Sequence, residues 1–393
     1  MNILFVTNKN VYPLIGGIER ITYSVAEALQ SIYDFHCYSL YTQENQYLQS
    51  TESLFIKKEC ISVINPMAQI VSYIKQEKID VVIAQGSDAR VNRIMPLLHE
   101  AVAQCEHVEL LYAYHTMPGF ELTPMDIMTL WYRIFHNPSQ RGANIKLLLI
   151  QLCRIIVPNI AERLVVSKYK EPYLCADKVI VLSDGYVVLY NHFAKGDIKH
   201  YITIPNMLSF LPSSVNIQQK QNEVLVVARM EERAKRIKTA LKIWKKINNP
   251  DWKLNIVGYG EDLEYYKHLA TEWNLKNISF EGLQNPLPYY QKASIFLMTS
   301  AFEGWGLTIT EAQQYGCVPI AFDSYSAVHD IIQSGRNGYI IQEGDIDAYA
   351  AQLKELMNND QLRNTLAQNA IKDVQRFSRE NVAVQWKTLL ESL

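Results

Sequence analysis

An α/β architecture of two doubly wound domains is predicted by three features of this 393-residue chain. Short apolar runs alternate with helical patterns, the signature of βαβ units and parallel sheets. That alternation starts twice, at the N-terminus and again at Glu223. Between the two series lies a polar joint bearing Pro205, Pro212, Ser213 and Ser214, which is linker chemistry. At roughly 150 residues per domain the length suggests two or three domains. The expected division is 1–206, 207–375, and a terminal helix 376–393 packing back toward the first domain.

In the first series, strands are read at Ile3–Thr7, Phe35–Leu40, Val81–Gln85, Glu109–His115 and Lys178–Leu182. Helical patterns follow at Ile18–Leu29 and Arg90–Ala103. The second series has strands at Val224–Val227, Lys253–Val257, Ile278–Glu281, Ile295–Met298 and Val318–Phe322. Its helices are read at Arg236–Ile247, Asp262–Trp273, Leu307–Tyr315 and Asp345–Met357, with a wholly helical tail from Asp360. No repeat has solenoid spacing. In doubly wound sheets ligands sit beyond the carboxyl ends of the strands, so strand-to-helix loops are the places to look.

Composition removes several function classes. Thirty-eight Lys and Arg against 40 Asp and Glu leave a net charge of -2, without the basic excess of a general nucleic-acid binder. No stretch has the ~18–20 apolar residues of a membrane span. The opening MNILFVT reads as a strand rather than a signal peptide. Six scattered cysteines and nine scattered histidines show no zinc spacing, so reduced thiols in a cytoplasm and no metal centre are expected.

Three loops could carry chemistry. The first, NKNVYPLIGGIER, follows strand one. Gly16-Gly17 there would let backbone approach a ligand at a helix N-terminus, or simply serve a flexible connection. The second, VARMEERAKR, places Arg229 and Lys235 near a strand end. They could hold a diphosphate, or belong to a solvated charged loop. The third is the most specific. TSAFEGWGLTITEAQQYG sets Glu303 before Gly304-Trp305-Gly306, opens a helix at Leu307 and Thr308, and places Glu311 about one turn inside. Glycines at a helix start can present amides to an anion, and carboxylates can accept two hydrogen bonds from a vicinal diol. The combination suits a ligand with both a diphosphate and sugar hydroxyls. His115, at a strand end, faces the same side by position, although a lone histidine is commonly structural. Gly258-Tyr259-Gly260 reads as a turn rather than a phosphate cradle.

Glu303 and Glu311, with seven residues between them, resemble the E-x7-E element of retaining GT-B glycosyltransferases of family 4. GCVPIAFDSYSAVHDIIQSGRNGYII, IVGYGEDLE, the Arg229/Lys235 pair and Ile204-Pro205-Asn206 resemble the same family. The resemblance is dense over about 200–375 and sparse before it. It implies two Rossmann-like domains facing across a cleft and transfer of a sugar from a nucleotide donor, UDP-linked by the same resemblance. It further implies that Glu311 binds ribose and Glu303 the donor-sugar hydroxyls. Arg229 and Lys235 would neutralise the departing diphosphate. Gly16, Gly17 and the backbone from Gly304 through Trp305, Gly306 and Leu307 to Thr308 would complete the cradle. His115 would sit by the transferred sugar. Two departures stand out: Ala228 replaces the usual glycine before the arginine, and Lys235-Arg236 replaces Lys-Gly.

Two cations and a helix N-terminus can stabilise a leaving phosphate in place of Mg²⁺, so no cofactor or metal is expected. The resemblance further implies a place in making a surface polysaccharide, and a carbohydrate or lipid-linked acceptor is expected to be handled by the first domain. From Asp126 to Lys170 there are seven Lys and Arg against two acids, and the segment includes the apolar run Ile145–Val157. Such a segment could lie on an anionic membrane at the inner face of the plasma membrane, or pack on the sheet. A GT-B sugar-nucleotide epimerase and a non-catalytic nucleotide-sugar-binding scaffold are the alternatives.

Overall fold

The computed structural model describes residues 1–12, 17–43, 54–86, 89–136, 141–156, 158–211, 214–247 and 249–393. The chain runs β1 (Asn2–Lys9), α1 (Gly17–Tyr33), β2 (His36–Gln43), β3 (Lys58–Cys60), α2 (Pro66–Gln76), β4 (Val81–Gly86), α3 (Ala89–Val102) and β5 (Glu109–Tyr114). It continues through α4 (Ile127–His136), α5 (Arg141–Ile156), α6 (Pro158–Cys175), β6 (Lys178–Val181), α7 (Asp184–Ala194) and β7 (Tyr201–Thr203). The second series is β8 (Gln221–Val227), α8 (Glu232–Lys235), α9 (Ile237–Ile247), β9 (Lys253–Val257), α10 (Leu263–Glu272), β10 (Ile278–Gly282), α11 (Leu287–Lys292) and β11 (Ala293–Met298). Then come α12 (Leu307–Gln314), β12 (Val318–Asp323), α13 (Val328–Ile331), β13 (Tyr339–Gln342), α14 (Ile346–Asn358), α15 (Asp360–Asp373) and α16 (Arg379–Glu391).

Two compact units result: 1–118 with 163–209 and 376–393, and 119–162 with 210–375. The first holds a seven-stranded sheet ordered β3-β2-β1-β4-β5-β6-β7, all parallel. Its central strands are apolar on both faces, as Ile3 to Val6 and Val81 to Ala84 show by complete or near-complete burial. α16 packs on α1, where Arg379 donates to Glu27 and Leu208 N donates to Phe377 O at 2.9 Å. Ser378 caps that helix by accepting from Asn381 N at 3.3 Å. The tail is therefore helical with a break: a short 3-10 turn at Val374–Phe377 separates α15 from α16.

The second unit holds a six-stranded parallel sheet, β10-β9-β8-β11-β12-β13. α9 puts Leu241, Ile243 and Trp244 into its core against Leu254 and Ile256 of β9. In both units the strand order reverses beside the first strand, between β1 and β4 and between β8 and β11. Loops leaving such a pair diverge and open a crevice.

The segment 119–162, read from sequence as part of the first domain, groups with the second unit. Its anchors are charged. Arg133 donates from Nε to Asp262 Oδ1 at 2.7 Å and also binds Oδ2, while its NH1 lies 2.7 Å from Glu261 Oε1. Lys238 Nζ donates to Asp126 Oδ2 at 2.8 Å. Arg233 donates to the carbonyls of Thr123 and Glu121 at 3.0 and 2.8 Å. Pairings more than a hundred residues apart leave no periodic trace in sequence. Three very short strands, β3, β7 and β13, are likewise illegible there. No helix among the described residues is long and apolar enough to cross a membrane.

Candidate active site

The loops after β8 and β11 build the site within the second unit. Beyond β8 the backbone is clipped to the neighbouring loop: Ala228 N donates to Val257 O at 3.0 Å, and Met230 N to Tyr259 O at 2.8 Å. Gly258 has φ +140°, and a Cβ there would stand 1.8 Å from Ala228 O. The glycine of that turn thus serves backbone approach. Asp262, 1% exposed, then accepts from Glu232 N at 2.7 Å and holds the start of α8.

α8 delivers Lys235. Its Nζ donates to Glu303 Oε1 at 2.5 Å, and Ser300 Oγ donates to the same oxygen at 2.7 Å. Neither partner is fully buried; side-chain exposure is 20% and 15%. The loop is fastened beneath them: Ala301 N donates to Ala234 O at 2.7 Å, and Thr299 Oγ1 to Lys235 O at 3.0 Å. Ser300 and Thr299 carry no signal in the sequence, being small polar residues like any in a loop.

Gly306 precedes α12 with φ +107°, and a Cβ there would meet Tyr325 Oη at 2.8 Å. Leu307 and Thr308 open the helix, where the first amides lack intrahelical acceptors. Gly304 is part-exposed, while Trp305 is 3% exposed and packs inward. Glu311 is 1% exposed, and Tyr290, itself buried, donates to its Oε2 at 2.9 Å. Glu311 is thereby oriented from α11, a contact that the spacing of the two glutamates does not reveal. Arg229 is placed differently from Lys235. Its side chain is 67% exposed and pairs with Glu231. The structure brings Lys235 and Glu303 together and leaves Arg229 on the rim.

In the first unit, His115 follows β5 and its Nε2 bonds Gln85 Oε1 at the end of β4. Burial pushes the imidazole down to about 4, so it is neutral at pH 7. Gly17 begins α1, and among the described residues a Cβ there would touch nothing within 4 Å. Gly16 lies outside the described residues.

Glu232 reads in sequence only as one member of a charged loop. It is 3% exposed, and burial pushes its carboxyl up to about 7. An acid raised on folding binds its proton more tightly in the folded state. Stability is therefore greatest below the unfolded value and declines as pH rises through about 7. Glu232→Gln, which retains an acceptor for Lys238 N, is expected to stabilise the chain at pH 8 by up to about 3 kcal/mol and hardly at pH 4. Thermal unfolding of both proteins across that range measures it; a gain independent of pH contradicts it.

Two Rossmann-like units, each built on a parallel sheet, make this an α/β protein of the GT-B fold. Residues 209–373 match the family model described as glycosyl transferases group 1. The chain is 32% identical over 176 residues to the amylovoran biosynthesis glycosyltransferase AmsD of Erwinia amylovora, covering 44% of this chain and 49% of that protein. It is 28% identical over 187 residues to the poly(glycerol-phosphate) alpha-glucosyltransferase of Bacillus subtilis strain 168, covering 46% of this chain and 28% of that one. It thus spans about half or less of the length of these two relatives. Among solved structures, Anabaena Alr3699/HepE in complex with UDP superposes with a TM-score of 0.73 at 17% identity, covering 100% of both chains.

Proposed function

We propose that this chain is a retaining, metal-independent glycosyltransferase of the family 4 type. In this reading it moves a sugar from a UDP-linked donor to a carbohydrate or lipid-linked acceptor in polysaccharide biosynthesis. The observation that carries it is the Lys235–Glu303 pair at the point where the second sheet reverses its strand order. The relatives' names and the matched region, which contains both residues, support it.

Departure of a nucleoside diphosphate builds negative charge on its terminal phosphate. Lys235 supplies a positive charge there, and the amides at Leu307 and Thr308 add partial charges at a helix start. Glu303 holds the ammonium in place and offers its second oxygen to a donor hydroxyl. Arg229 reaches the diphosphate by exchanging Glu231 for phosphate oxygens. Glu311 is the ribose acceptor. The leaving phosphate takes the acceptor proton on the same face, which retains configuration. His115, neutral, can accept or donate one hydrogen bond in the first unit. The chain works in the cytoplasm, in peripheral contact with an anionic membrane.

A UDP-release screen over donor sugars, with and without acceptor and with chelator, tests the reading. Acceptor-dependent release that survives chelation is expected. Acceptor-free interconversion of UDP-sugars would make the protein an epimerase, and UDP binding without release a scaffold. Abolition by chelator would refute metal independence.

A further inference from the structure

We propose that the outer face of the packed helices α4 and α5 is a docking surface for an anionic lipid bilayer. This identifies the surface behind the membrane contact included in the proposed function, and it is measured without reference to catalysis.

α4 carries two apolar stripes. The inward one, Leu130 and Ile134, packs with Met125, Leu147 and Leu148. The other faces solvent: Ile127, Met128, Trp131 and Phe135 are 53%, 65%, 44% and 63% exposed. The Trp131 and Phe135 rings stack with centroids 5.7 Å apart. α5, packed beside α4, adds exposed Ile145, Leu149 and Leu152. A short helix apolar on two sides has a second apolar environment to meet, and a contiguous exposed patch of this kind marks an interaction surface.

Charge selects the partner. Residues 127–161 contain no Asp or Glu. Arg133 is spent inside, on Asp262 and Glu261, but Arg141 and Lys146 stand exposed on α5. Acid-free sequence beside exposed cations fits the negative potential of an anionic leaflet. Aromatic side chains at such a face settle at the boundary of headgroups and acyl chains. A second copy fits less well, because a two-fold contact through this face would bring like charges together.

The test is cosedimentation of the full chain with phosphatidylglycerol–phosphatidylcholine vesicles and with pure phosphatidylcholine vesicles. Binding to the anionic vesicles that falls with added salt is expected. Trp131→Ser/Phe135→Ser should weaken it ~10-fold or more through lost apolar burial. Lys146→Glu should weaken it roughly fivefold or more through charge. UDP binding by each variant serves as the folding control and should be unchanged. The proposal is overturned if wild type does not sediment, if the variants sediment equally, or if Trp131→Ser/Phe135→Ser instead dissolves a dimer formed without vesicles. Failure of the transferase reading would appear in the UDP-release screen and would leave cosedimentation untouched.

Discussion

Lys235→Ala is expected to lower turnover by ~10²-fold or more, the consequence of removing an anion contact worth ~3 kcal/mol in the transition state. The loss should fall on kcat more than on donor KM, because the phosphate gains charge as it departs. The geometry adds a second penalty. Glu303 would keep Ser300 but lose the ammonium at 2.5 Å, leaving a part-buried carboxylate facing an anionic ligand. Lys235→Ala/Glu303→Gln should therefore lose less than the two single losses combined, the mark of coupled groups. Steady-state UDP release with a saturating acceptor is the measurement. An unchanged kcat in Lys235→Ala would remove the pair from the mechanism. Arg229→Ala should cost less, since a side chain 67% exposed works against higher dielectric.

The largest stability effect is expected at Arg133. Arg133→Met should destabilise the second unit by about 3–5 kcal/mol, because Asp262 would remain buried as a charge without its fork-like partner. Glu232 N still donates to Asp262 at 2.7 Å, but one amide does not replace a guanidinium. The double replacement Arg133→Met/Asp262→Asn should recover much of the loss, since the unpaired charge disappears while an acceptor for Glu232 N remains. Urea unfolding of the three proteins reports the stability, and hydrogen exchange at the amides of α8 reports it locally. Equal stability of Arg133→Met and wild type would show that the pair contributes nothing. Because α8 carries Lys235, the same variant should also lower kcat, with Arg133→Lys a poor substitute for bidentate geometry.

The alternation of apolar runs with helical patterns is sufficient to place most strands within a residue or two, since burial on both sheet faces writes itself into local composition. The geometry of the third loop is equally legible: a glutamate before Gly-Trp-Gly at a strand end, with a second glutamate inside the helix that follows, marks a candidate ligand loop, and the strand, turn and helix fall where that reading needs them. What escapes is whatever depends on a distant partner. Asp262 looks like a helix start and does open α10, but its side chain is also the acceptor that ties α8 to Arg133, 129 residues earlier. Asp126 and Arg133 belong to a segment that is basic in sequence, yet both are consumed in ion pairs inside the second unit.

Sequence by itself determined that this protein has two parallel-sheet units and singled out the loops after β1, β8 and β11 as candidates for chemistry. Local periodicity and turn chemistry dictate both, residue by neighbouring residue. Tertiary structure alone decided that Lys235 meets Glu303 while Arg229 turns to Glu231, and that 119–162 joins the second unit. Those outcomes depend on which charges and hydrogen-bond groups meet at close range across long chain separations, and no periodic pattern carries that information.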